Sequence, residues 1–212
     1  MMSGSEIPTT LLLLRHGETA LTAEKRLSGS GGSDPALSEI GRRQAEAAAE
    51  LLAARGAVHA VVSSPLRRCR ETAAAAARRL SLQLRIDEGL LEADFGVWEG
   101  LTFAEVRERY PVEFAAWLES PAAVPGGTGE SLDSVTRRVA LSRDKLLARY
   151  QGQTVLVVSH VAPLRTLVRL ALGAPPAALF RMELAAASVS EVAYDGNGNA
   201  SLRLLNDTSH LR

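Results

Sequence analysis

Cys69 is the only cysteine among 212 residues, so no intrachain disulfide can form and a reducing compartment is the expected setting. The four histidines are scattered and show no metal-ligand spacing, so no metal site and no cofactor are expected. The run Leu11–Leu14 is far too short to cross a bilayer. Residues 1–10 carry neither the basic nor the apolar stretch of a leader, which makes the expected location cytoplasmic, with no membrane partner. Charge of one sign is also missing: 24 basic and 24 acidic residues cancel, so nothing steers the chain toward nucleic acid. Lysine is nearly absent, since only Lys25 and Lys145 interrupt an otherwise all-arginine basic set. Aromatic residues make up 4%, and the near-helical series Tyr110, Phe114 and Trp117 is expected to pack a core or lid rather than stack bases.

What is present is an alternation of strand and helix signals. Leu11–Leu14 ends in Arg15-His16-Gly17-Glu18-Thr19 and reads as a strand buried on both faces. A glycine- and serine-rich loop over 20–35 precedes a helix capped by Ser38 and stopped by Gly56. A strand over 57–63 leads to Ser64-Pro65, which predicts a helix start with Ser64 as cap, running to about Leu80. Residues 82–87 alternate like a strand. Two short helices broken at Pro111 are expected within 96–119, then a loop over 121–129 and a long amphipathic helix over 131–150. Thr154–Ser159 is a second buried strand, followed by a helix over 161–172 and a hairpin of 188–194 with 200–205. The expected fold class is α/β: a three-layer α/β/α sandwich with a mostly parallel central sheet and a C-terminal hairpin. One domain, 11–212, is expected to follow a flexible tail over 1–10.

In a parallel sheet the strand ends share one edge, where such folds bind ligands. Arg15 and His16, the segment Ser63–Arg68, Glu92, and His160 all fall at such ends. Two imidazoles, guanidiniums and a carboxylate in one place suit phosphoryl transfer through a histidine. A neutral imidazole attacks phosphorus, cations hold the equatorial oxygens, and a carboxylic acid protonates the leaving alkoxide. Gly17 is expected to let the backbone approach the ligand. His59 and His210 are expected to be structural, and Cys69 a small buried helix residue.

The order of motifs resembles the histidine phosphatase superfamily, also called phosphoglycerate-mutase-like. Leu14-Arg15-His16-Gly17-Glu18-Thr19 resembles its signature, and Leu37-Ser38 through Gly41 to Gln44-Ala45 resembles its L-[ST]-x-x-G-x-x-Q-A helix. Ser63–Ala73, Leu91–Gly100 and Ser159-His160 resemble three further segments. The resemblance implies His16 as the phosphorylated nucleophile, with Arg15, Arg68 and His160 holding phosphoryl oxygens. It implies Glu92 as acid and then base, ahead of Asp94, which is expected at the pocket mouth, and Glu99. It favours Arg68 over Arg67. Thr22 stands where relatives place Asn and still offers a hydroxyl. Thr22, Ser28, Gly29 and the backbone N–H of Val161, expected to be free, complete the substrate contacts.

The short stretch 100–153 and the C-terminal hairpin ending in Asn206-Asp207-Thr208 resemble the phosphatase branch, and Glu92-Ala93-Asp94-Phe95-Gly96 resembles in particular acid phosphatase domains fused to ribonuclease H in actinobacteria, and α-ribazole phosphatases. This implies a metal-independent, phosphohistidine phosphatase for small-molecule monoesters, as a monomer or homodimer. α-Ribazole phosphate, sugar phosphates or a broad range of monoesters are the candidate substrates. Mutase-type transfer and a silent phosphate-binding scaffold are the alternatives. The loops 28–34 and 101–130 are expected to set the substrate, and the optimum pH is expected on the acid side, with His160 cationic.

Overall fold

The four leucines of the first strand point alternately to opposite faces of a sheet, and the two faces build two separate cores. In the computed structural model, which describes residues 7–212, Leu12 and Leu14 pack on one side and Leu11 and Leu13 on the other. The strand, β1, spans Thr9–Arg15, so it begins two residues before the expected domain boundary at residue 11. Residues 1–6 of the expected tail lie outside the described residues.

A one-turn helix, α1 (Ala20–Ala23), is capped by Thr19, and α2 (Glu39–Arg55) is capped by Ser38, whose hydroxyl accepts from Gly41 N–H. Gly56 ends α2 at a positive φ of 66°, the conformation that favours glycine. Next come β2 (Val58–Ser63), α3 (Arg67–Leu80) and β3 (Leu84–Ile86). The short helices α4 (Phe103–Arg109) and α5 (Pro111–Glu119) are broken at Pro111 as the sequence predicts. They lead into α6 (Leu132–Arg149), β4 (Thr154–Ser159) and α7 (Val161–Ala171). The hairpin strands β5 (Val189–Tyr194) and β6 (Ala200–Asp207) close the sheet.

The sheet order is β3-β2-β4-β1-β5-β6. The first four strands are parallel, and β5 joins β1 antiparallel. The alanine-rich faces of α2 and α3 cover Leu12, Leu14, Val61, Leu156 and Val158; α6 and α7 cover the other face. This is the expected three-layer α/β/α sandwich with a mostly parallel sheet and a C-terminal hairpin.

One helix start departs from the reading of Ser64-Pro65. The helix begins at Arg67 with Leu66 in the cap position and no side-chain cap of its own. The Asp34 carboxylate accepts from Arg67 N–H at 2.8 and 3.0 Å, doing from a distant loop what Ser64 was expected to do. The Ser64 hydroxyl lies 2.8 Å from His160 and reaches the helix start only through a long 3.4 Å contact from Leu66 N–H.

Candidate active site

The register of the two central strands places the histidines. Arg15 pairs with Ser159, so His16 and His160 each lie one residue beyond the paired ends, with ring centroids 5.2 Å apart. Both are buried, at 5% and 0% exposure. His16 Nδ1 lies 2.7 Å from the Gly17 carbonyl, a partner that can only accept. Nδ1 therefore carries the proton and Nε2 keeps its lone pair. His160 Nε2 sits 2.8 Å from Ser64 Oγ and 3.3 Å from Cys69 Sγ.

Arg68 is fully buried at the base of α3. Its Nη2 donates to the Ser28 carbonyl at 2.8 Å, and Nη1 is 3.7 Å from Asp34. Nε and Nη1 have no hydrogen-bond partner, and neither has Arg15 Nε. A buried guanidinium with spare donors is costly unless an anion receives them. Arg15 Nη1 donates to Leu184 O at 2.6 Å, which aims the side chain. Arg67 turns outward to Glu71, with its side chain 56% exposed.

Glu92 is buried, and three backbone N–H groups converge on its carboxylate. Ala93 N–H and Ala162 N–H donate to Oε1 at 2.9 and 3.2 Å, and Val161 N–H donates to Oε2 at 3.1 Å. The Val161 amide, expected to be free for an anion, is thus taken by Glu92. Helix α7 still turns its N-terminus toward a carboxylate, but that carboxylate belongs to the protein. The other acid candidates serve the backbone. Glu99 accepts from Gly29 and Phe95 N–H, and Asp94 from Gly96 N–H. Asp94 packs against Gly31 rather than forming the pocket mouth.

Burial and the neighbouring Arg15 and Arg68 push the His16 imidazole well below its ordinary range. His160 moves the same way, through burial first and then Arg68 and His16. That direction runs against the cationic His160 expected from the sequence. Burial raises the Glu92 carboxyl above its usual range, against the opposing pull of the Ala93 amide and Arg68. Burial likewise pushes the Cys69 thiol up, so it stays protonated.

Arg15, His16, Glu92, Thr22, Ser28 and Val161 line a cavity of about 370 Å³, while the buried Arg68 and His160 are not among its lining residues. The Ser28 hydroxyl is buried without a partner. Gly29 does not line the cavity. Its N–H is held by Glu99, and a Cβ there would fall 2.1 Å from the Ala93 carbonyl, so packing requires glycine at this position.

Gly17 also meets a packing need: a Cβ on it would fall 2.4 Å from the Gly41 carbonyl, so it gives room to α2. Glu18 explains the rest of that motif. Its backbone N–H donates to Gln44, its carbonyl accepts from Ser38 N–H, and its carboxylate accepts from the Ser38 hydroxyl. Ser38, Gly41 and Gln44 recur every three residues on one helical face and clasp the turn that carries His16. His59 accepts from Thr154 N–H and His210 contacts the Ala187 carbonyl, both structural as expected.

Several contributors escaped the sequence reading. Arg165 lines the cavity one helical turn after Val161, a spacing that could have suggested it. Arg138 grips the Gly89, Leu91 and Glu92 carbonyls while its fork pairs with Glu130, and so fixes the backbone that carries Glu92. The stretch 179–184 supplies a wall that no motif marks.

A pair of buried imidazoles between two guanidiniums, at the mouth of a parallel sheet, defines a site for a tetrahedral oxyanion in a three-layer α/β/α protein. The chain belongs to the histidine phosphatase superfamily (branch 1), whose sequence pattern matches residues 11–208. It is 51% identical over 204 residues to a bifunctional protein of Mycobacterium tuberculosis; the match takes in 96% of this chain but only 55% of that protein's length. It is 36% identical to phosphoserine phosphatase 1 of Hydrogenobacter thermophilus, over 95% of this chain and 93% of the relative. A solved mycobacterial glucosyl-3-phosphoglycerate phosphatase, in complex with VO3, superposes with a TM-score of 0.84 at 31% identity, covering 94% of this chain and 99% of that one. Among the described residues no helix is long and apolar enough to cross a membrane.

Proposed function

We propose that the protein hydrolyses small-molecule phosphomonoesters through a phosphohistidine on His16, with Glu92 as general acid and then base. The observation that carries this reading is a buried His16 whose Nδ1 is tied to a carbonyl, beside Arg68 donors that have no partner. The phosphate would sit among Arg15, Arg68 and His160. His16 Nε2 attacks phosphorus as the ester P–O bond breaks, and the Glu92 carboxyl passes its proton to the departing oxygen. Water then attacks the phosphohistidine. The Glu92 carboxylate takes the water's proton, the N–P bond breaks, and inorganic phosphate leaves.

The cations of the reaction are Arg15 and Arg68, so turnover is expected to persist in EDTA. Release of inorganic phosphate, rather than transfer to a second alcohol, separates this reading from a mutase. Among relatives, the names phosphoserine phosphatase and glucosyl-3-phosphoglycerate phosphatase support the hydrolytic branch without fixing this chain's substrate; α-ribazole phosphate and sugar phosphates belong in the same screen.

The test is labelling with a radiolabelled phosphomonoester quenched in alkaline denaturant, alongside steady-state phosphate release. The wild-type chain should carry acid-labile label, and H16A should lose both label and turnover, by a thousandfold or more on the order expected for a nucleophile. Turnover surviving in H16A, or label surviving on it, would remove the mechanism.

A further inference from the structure

The cavity that begins at His16 ends in an aromatic cup outside the reacting centre. Phe103, Trp117 and Phe180 form it, with Trp117 meeting Phe180 edge-on at 4.9 Å and lying nearly parallel to Phe103 at 6.0 Å. Leu132, Leu179 and Phe95 extend the apolar wall back toward Glu92. Phe103 and Phe180 are 46% and 37% exposed, an unusual state for large apolar rings that share one concavity. A volume of about 370 Å³ is near the lower end of the roughly 300–1,000 Å³ typical of small-ligand pockets. It suits a phosphate with one compact substituent.

Three cations besides Arg15 line the same cavity: Arg26, Arg165 and Lys25. Arg26 is paired with Glu24 and Glu105 at 2.8 and 3.0 Å. Arg165 has no ion pair among the described residues and its Nε is buried without a hydrogen-bond partner, a spare donor like those of Arg68, and its charge is felt at Arg15 on the phosphate side. Lys25 is left at the pocket without an ion pair, next to Thr22 and Ser28. An acidic substituent could draw on Lys25 and Arg165, but only a planar apolar one would cover the exposed faces of Phe103 and Phe180.

Resting on the phosphomonoesterase reading above, we infer that the substrate class is monoesters of alcohols that bear a planar, apolar ring, held in the cup of Phe103, Trp117 and Phe180 while the phosphate sits on His16. Small acidic or polyhydroxylated phosphates are then poor substrates, because they leave the cup wet.

The experiment compares kcat/KM for 2-(1-naphthyl)ethyl phosphate, ethyl phosphate, O-phosphoserine and glucose 6-phosphate. Naphthylethyl and ethyl phosphate release primary alkoxides of similar basicity, so their ratio isolates the ring. The ring ester should exceed the other three by about tenfold or more, and F180A and F103A should each shrink the naphthyl-to-ethyl ratio severalfold, chiefly through KM. Both rings are partly exposed, and melting curves confirm that the variants fold. Equal kcat/KM across the panel, a preference for phosphoserine or the sugar phosphate, or a ratio untouched by both substitutions would overturn the assignment while leaving the phosphatase reading intact. Failure to hydrolyse any ester would instead bring down the phosphatase reading, and this inference with it.

Discussion

At Glu92 two influences oppose each other. Three amide donors favour the carboxylate, while burial favours the acid, and burial prevails in direction. Such a group can hold a proton until the leaving oxygen needs it. E92Q should therefore lower kcat for alkyl phosphates by about 10²–10⁴-fold, and markedly less for p-nitrophenyl phosphate, whose leaving group needs no proton. A loss independent of the leaving group, measured with both substrates, would mean that Glu92 acts only by holding the turn. The same residue shapes the pH profile of kcat/KM. With His16 depressed, the acid limb should fall below the usual imidazole range, and deprotonation of a raised Glu92 should set the alkaline limb. The expected optimum is thus acidic, and E92Q should lose the alkaline limb. His16, Glu92, Arg68 and His160 were legible because each falls at a strand end within a motif. Asp34 and Arg138 were not, because their contacts cross from one segment to another and leave no local pattern.

Elements show a related division. Ser38, Gly41 and Gln44 read as a helix start with a family pattern, but their task, clasping Gly17 and Glu18, appears only when α2 lies against the end of β1. Replacing Gly41 with alanine tests that clasp. Helix propensity alone predicts a gain of about 1 kcal/mol. A Cβ at 2.0 Å from the Glu18 carbonyl opposes it, with an overpacking cost of roughly 1–3 kcal/mol. We expect G41A to lower the melting temperature by roughly 2–4 °C per kcal/mol lost, and to lower kcat as the His16 turn shifts. A more stable, fully active G41A would show that the contact is slack. The displaced start of α3 has the same origin: Ser64 is a good cap by residue type, but its hydroxyl is claimed by His160 and Asp34 caps in its place.

For the molecule as a whole, the site is a stability liability that depends on pH. His16 and His160 have folded values well below 6.5, so the unfolded chain binds more protons between those values and 6.5. Their contribution is intact above about pH 6.5 and is lost as pH falls toward the depressed values. Glu92 acts with the opposite sign: its raised value gives stability that is full below about 4.5 and lost as pH rises through the folded value. Melting curves from pH 7.5 to 5.5 should show a decline that is reduced in H160N. Saturating inorganic phosphate should raise the midpoint by occupying Arg15 and Arg68, by about 2.7 kcal/mol at a hundredfold excess over Kd. A flat profile, the same with and without phosphate, would contradict the burial argument. Fold class was legible at this scale because alternating strand and helix signals leave few arrangements open. The order β3-β2-β4-β1-β5-β6 was not, since it depends on pairings between distant strands.

That order bears on how the chain reaches its native state. The leucine run of β1 lies between β4 and β5, so its partners are residues 154–159 on one side and 189–194 on the other. Both pairings close loops of well over a hundred residues, and topologies dominated by such contacts assemble slowly. During synthesis an apolar, β-prone segment stays unpaired until most of the chain has followed, which is the state in which aggregation competes with folding. The strand that carries His16 is thus made before both of its neighbours in the sheet and is among the last to be secured.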